Sequence, residues 1–281
     1  MEGIYAVMDA LLPLEALRFP FMKNAFLAVV LITPLLALLG TMAVNQQMAF
    51  FSDALGHSAL TGVGLGILLG VSNDLLSLMV FGVVWALAIC LIKQTGAAST
   101  DTVISVFSSA SVAGGLLILS MGGGFAKHSA LLVGDVTAVQ PADLAWLAGA
   151  LVVGVVLWML MYNPLLLTGI NASLARSRGI RTRLTECAFV VLVALVVMLA
   201  IRWVGVMLIN ALLILPAAAG RNLARNSRQH ALISAVIALV CGVAGLLSAY
   251  AWRGASAGAA IVLYAAAAYV LSLGVRHLVR R

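Results

Sequence analysis

Charge is scarce in this chain: Asp, Glu, Lys and Arg make up 9% of its 281 residues, against 64% hydrophobic. So few charges cannot cover a soluble surface of that size, and a mean hydropathy of +1.16 excludes an ordinary water-soluble domain. Cysteine is scarce as well. Cys90, Cys187 and Cys241 lie singly in or beside apolar segments, which excludes a C-x-x-C metal site or a disulfide framework and reads them as packing residues. No lysine is followed by Ser or Thr, so a G-x-x-x-x-G-K-[ST] phosphate loop is missing and ATP is not bound by that means. H-E-x-x-H is missing too. The run Gly254 to Gly258 matches the letters of G-x-S-x-G, but it joins two apolar helices where a nucleophile elbow needs a strand. The chain is therefore not read as an enzyme.

What is present is apolar sequence in helix-spanning lengths. Such runs fall at roughly 25–44, 54–71, 74–92, 102–121, 143–162, 185–201, 204–219, 231–250 and 257–275, each near the ~20 residues that cross a bilayer. They predict an all-α, polytopic transmembrane bundle of eight or nine spans. The doubt sits where only Arg202 and Trp203 divide two apolar runs. Residues 1–22 lack the basic start and clean apolar stretch of a removable signal peptide. They read as an interfacial segment with Leu11, Leu12, Leu14, Leu17, Phe19 and Phe21 toward lipid or protein, ahead of a membrane domain at 23–281.

The net charge of +7 does not point to nucleic acid, because thirteen of the sixteen basic residues are Arg gathered in short segments between apolar runs. That is the pattern that orients a membrane protein. A cytoplasmic C-terminus puts eleven basic residues inside, from Lys93, Arg176–Arg183, Arg221–Arg228 and Arg276–Arg281, against five outside. With nine spans the N-terminus then faces outward.

Asp53 and His57 stand out within the second apolar run, FFSDALGHSALTGVGLG. Four residues apart, they project from one helix face. A carboxylate inside a span costs roughly 2.5–3.5 kcal/mol on insertion scales and faces a partner or a polar pathway. Two readings stand. Carboxylate oxygen with imidazole nitrogen suits zinc, manganese or ferrous iron, with a homodimer supplying the remaining ligands across its axis; or the pair is a hydrogen bond that pins the helix start. Ser52, Ser58 and Thr61 could extend the polar face, and Gly56, Gly62, Gly64 and Gly66 let neighbours approach closely. Asp101 reads as an N-terminal cap. Asp135, with His128 and Asp143 near it in sequence, reads either as a solvated loop or as a cation attractor at the outer entrance. Asn171 to Arg183, NASLARSRGIRTR, exceeds the length of a turn, could form a short amphipathic helix, and offers a basic surface to a soluble partner unless its arginines only fix topology.

At these residues the sequence resembles the ABC-3 family of metal permeases, the membrane subunits of bacterial zinc and manganese uptake systems. The likeness runs from Pro20 to about Ser272 through PFMKNAFLAVVL, FSDALGHSALTGVGLGILLG, DTVISVFSSASVAGGLLILS, LLVGDVTAV and VGVMLINALLILPAAAGRNLARN, in that order. It implies the membrane-spanning permease of an ATP-driven importer of zinc, manganese or iron in the bacterial cytoplasmic membrane. Its implied partners are a second copy of the chain, two cytoplasmic ATP-binding subunits and an extracytoplasmic metal-binding protein. The divalent ion is cargo, and no resident cofactor is implied. Asp53 and His57 would lie on the metal route, and Asn171, Ser173, Arg176, Arg178 and Arg181 on the segment that meets the ATPase. The chain departs from the family pattern at VNQQMAFF, where many relatives carry basic residues; at Ser109, where zinc-type relatives often carry His; and at Ser173, where an acidic residue is common. The competing expectations are an ion-coupled secondary transporter without an ATPase, and an intramembrane enzyme with Asp53 and His57 as acid and base.

Overall fold

Backbone groups cannot stay unpaired in hydrocarbon, so a chain this apolar must close its hydrogen bonds within helices. The computed structural model describes Tyr5, Met8 and residues 15–71, 73–121, 136–252 and 255–279. Ten helices form among these residues, with no strand. They are α1 (Pro20–Asn45), α2 (Phe51–Leu68), α3 (Asp74–Thr95), α4 (Thr100–Met121), α5 (Pro141–Ile170), α6 (Ala172–Ser177), α7 (Thr182–Val204), α8 (Val206–Leu223), α9 (Ser227–Ala251) and α10 (Ala257–Val279). Short 3-10 turns at Glu15–Arg18 and Val136–Ala138 precede α1 and α5.

Polar residues between the runs set the helix starts by accepting from otherwise unpaired first-turn N–H groups. Asn73 Oδ1 accepts from Leu75 N and Leu76 N at 3.1 and 3.3 Å, and Asn226 Oδ1 from Gln229 N at 2.8 Å. At α4 the cap is Ser99, whose Oγ accepts from Thr102 N at 3.2 Å. Asp101, expected to cap, sits exposed in the first turn, where its charge complements the helix dipole. Asp143 accepts from Gln140 N at 3.0 Å at the head of α5, so it belongs to a helix start.

Eight helices are long and apolar enough to cross a membrane, all but α2 and α6. The ninth run of the sequence is α2, whose Asp, His, Ser, Thr and Gly residues hold its hydropathy down. It is sheltered by α3, α4, α7 and α8. The ambiguous stretch 185–219 resolves at Gly205, not at Arg202 and Trp203. Both of those residues lie in the last turn of α7, and Gly205 breaks the helix with φ 83° and ψ 157°, a conformation that essentially only glycine adopts.

Helix contacts fix which ends lie together. α1 runs parallel to α5, with Asn24 Nδ2 donating to Val139 O at one end, Trp158 Nε1 to Leu38 O midway, and Gln46 Nε2 to Leu165 O at the other. α9 runs antiparallel to α1, since the Phe19 ring lies tilted against Tyr250 and Gly242 packs on Val29. His230 Nε2 bonds Ala217 O at 2.8 Å, Arg276 donates to Asn222 Oδ1 at 3.0 Å, and Gln94 Nε2 donates to Arg183 O at 3.1 Å. Lys93, the 176–183 segment, Arg221 and Arg276 thereby gather at one end of the bundle. Before α1, Leu17 is buried in the core while Phe19 is exposed, as is Phe21 in the first turn of α1. Residues 1–4, 6–7 and 9–14 of the expected interfacial segment lie outside the described residues.

Candidate functional site

Asp53 stands in the first turn of α2, and His57 follows one turn later. From Phe51 to Gly64 every residue of α2 is buried except these two. Their side chains are 44% and 35% exposed, so over this stretch the helix is uncovered only at its carboxylate and imidazole. His57 Nε2 lies 3.5 Å from Asp53 Oδ1. The i, i+4 spacing therefore puts both partly exposed groups on one face of the helix.

A third side chain joins them. Asn210, on α8, donates from Nδ2 to Asp53 Oδ1 at 2.8 Å. Its own Oδ1 is buried and has no hydrogen-bond partner. Gly56 makes this meeting possible, because a Cβ there would overlap Val206 Cγ1 and stand 3.5 Å from Asn210 Nδ2. Sequence reasoning passed over Asn210. The available signal was that it is the lone polar residue between Val206 and Pro216, and a polar side chain in such a run seeks a partner on another helix.

The serines and threonine expected to extend the polar face do not. Ser58 Oγ bonds Leu55 O within α2, Thr61 donates to the Ser111 carbonyl on α4, and Ser52 is buried. Gly115 of α4 fits against Thr61 and Leu60 at this crossing. Among the described residues no three of His, Cys, Asp and Glu group as a metal site. Among these residues Asp53 and His57 stand as a pair, with the Asn210 amide beside them. His128 and Asp135 lie outside the described residues.

The basic segment folds as expected into a short helix. Asn171 Oδ1 accepts from Ser173 N and Leu174 N at 2.9 and 3.1 Å to start α6, and Gly179, with φ 79°, follows its end. Arg176 donates to Ser173 Oγ at 3.3 Å. Ser173, Arg176, Arg178 and Arg181 are exposed, as is Leu174, while Ala175 is buried.

The model of the ABC 3 transport family matches residues 18–276, nearly the whole chain. The chain belongs to that family. It is 30% identical over 259 residues to the manganese import system permease protein ScaB of Streptococcus parasanguinis, covering 91% of this chain and 90% of that one. It is 28% identical over 260 residues to the high-affinity zinc uptake system membrane protein ZnuB of Haemophilus influenzae, covering 91% and 97%. The solved PsaBC structure from Streptococcus pneumoniae in complex with Fab superposes with a TM-score of 0.79 at 27% identity, over 97% of this chain and 95% of that one. The ABC 3 member described here is a multi-pass membrane protein and a transport permease subunit, with no catalytic role of its own.

Proposed function

We propose that this chain is the permease subunit of an ATP-driven importer of a divalent transition metal, and that Asp53 and His57 form one half of the ion's passage site. The observation that carries the reading is the exposure pattern of α2: from Phe51 to Gly64 a sheltered helix leaves uncovered only a hard oxygen donor and a borderline nitrogen donor one turn apart. That donor set suits manganese, zinc or ferrous iron. Relatives named for manganese import and for zinc uptake support the substrate class.

Two ligands hold an ion loosely, which fits passage, yet an ion stripped of water needs about four to six. A second copy that brings its α2 against this one supplies another Asp53 and His57, and the exposed faces of both residues are where it would do so. Asn210 acts as a positioning residue. Its amide fixes the carboxylate rotamer. The end that gathers the basic segments is assigned to the cytoplasm by the positive-inside rule. ATP-binding subunits engage there through Asn171 to Arg183, and a metal-binding protein delivers the ion at the opposite end. Motion of the 171–183 segment then exposes the site alternately to the two sides. Family membership favours this reading over an ion-coupled secondary transporter.

The test is metal accumulation in bacterial cells in which this chain and its partners are the sole high-affinity route. Asp53→Ala and His57→Ala each lower manganese or zinc accumulation roughly tenfold or more, at unchanged amounts of protein in the membrane. Accumulation at the wild-type level by both variants would remove the site.

A further inference from the structure

Metal passage makes no use of the polar layer where the last turns of α3 meet the first turns of α7. Cys90 Sγ and Cys187 Sγ face each other across these helices at 2.8 Å. In sequence both looked like isolated packing residues; the fold makes them a pair. Gln94 Nε2 lies 3.3 Å from each sulfur, which holds both toward a common point, and it also donates to the Arg183 carbonyl. Lys93 Nζ and Glu186 Oε2, at 3.8 Å, close the layer. The register is antiparallel and continuous, since Gly82 lies against Met198 farther along the same two helices. Cys90 is buried and Cys187 is half-buried, whereas Cys241 is buried on α9.

We propose that Cys90 and Cys187 are a redox-active dithiol that hydrogen peroxide converts to an intramolecular disulfide joining α3 to α7. The sulfurs stand roughly 0.8 Å beyond a covalent S–S bond of ~2.05 Å, a gap that side-chain rotation closes with the helices in place. Cys187, the more accessible sulfur, attacks one oxygen of the peroxide. The O–O bond breaks, the thiol proton leaves with the departing hydroxide as water, and a sulfenic acid remains. Cys90 Sγ then displaces hydroxide from that sulfur, and its own proton completes the second water. Two thiols are oxidised, one peroxide is reduced, and a small-molecule thiol reverses the bond by exchange. In a reducing compartment the pair rests as thiols. Once formed, the bond fastens α3 to the start of α7, a few residues beyond the basic segment.

The experiment uses the full chain in lipid nanodiscs: treatment with hydrogen peroxide, quenching, unfolding, alkylation of the remaining thiols and peptide mass spectrometry. The expected product is one Cys90–Cys187 linked peptide with Cys241 alkylated, and dithiothreitol treatment returns all three thiols to the alkylated pool. Cys241→Ser keeps the link, and Cys187→Ser loses it and leaves Cys90 alkylated. Three alkylated cysteines after peroxide, irreversible oxidation of Cys187 without a link, or bonds formed mainly between chains would each overturn the proposal. None of these readouts depends on metal transport.

Discussion

Asp53 is held on two sides, by His57 within its own helix and by Asn210 from α8. A hydrogen bond to a charged group is worth about 1.5–3 kcal/mol, and groups that orient a metal ligand typically alter affinity 10- to 100-fold. Asn210→Ala therefore weakens metal binding by roughly 10- to 100-fold while Asn210→Asp, which places a second carboxylate beside the first, perturbs it differently; titration of purified protein with manganese separates the two. An Asn210→Ala variant with wild-type affinity would show that the amide merely packs. The pair itself was legible in the sequence because a carboxylate and an imidazole four residues apart share a helix face whatever surrounds them. Asn210 was not, because its partner lies 157 residues away in sequence and only the crossing of α2 with α8 brings them together. Cys90 and Cys187 were hidden for the same reason.

Among the elements, α2 depends on how closely α8 approaches it. Gly56→Leu drives a side chain into Val206 and separates the two helices, with a loss of about 1–3 kcal/mol from overpacking and a larger fractional loss of uptake. Gly205→Ala forces a non-glycine residue to φ 83° and costs about 1–3 kcal/mol. Gly149, which has nothing within 4 Å of an added Cβ, is the control, since Gly149→Ala leaves stability unchanged or slightly higher through helix propensity. Thermal unfolding in detergent ranks the three, and equal melting temperatures for Gly205→Ala and Gly149→Ala would contradict the account of the break. Run length placed most of the spans to within about five residues, because hydrocarbon thickness leaves little choice of helix length; α5, expected at 143–162, runs on to Ile170. The α7–α8 boundary was misplaced because Arg202 and Trp203 look like interfacial residues, whereas the backbone is broken by the glycine beyond them.

For the molecule as a whole, the gathering of basic segments at one end gives the bundle its polarity. Arg178 and Arg181 project there beside α6, exposed and without acidic neighbours in sequence. Reversing both charges to Glu lowers metal-stimulated ATP hydrolysis by the assembled importer several-fold and leaves metal affinity in place; unchanged hydrolysis would refute the assigned interface. The charge asymmetry was readable from the chain because it is a property of sequence. The completion of the proposed site by a second copy was not, since Asp53 and His57 are the two metal-type ligands that the described residues bring together there. The central claim is tested most directly by metal stoichiometry, measured on the purified wild-type protein and on the Asp53→Ala, His57→Ala double variant. The account predicts about one manganese ion for every two wild-type chains and none for the variant. Equal metal content in the two proteins would contradict it.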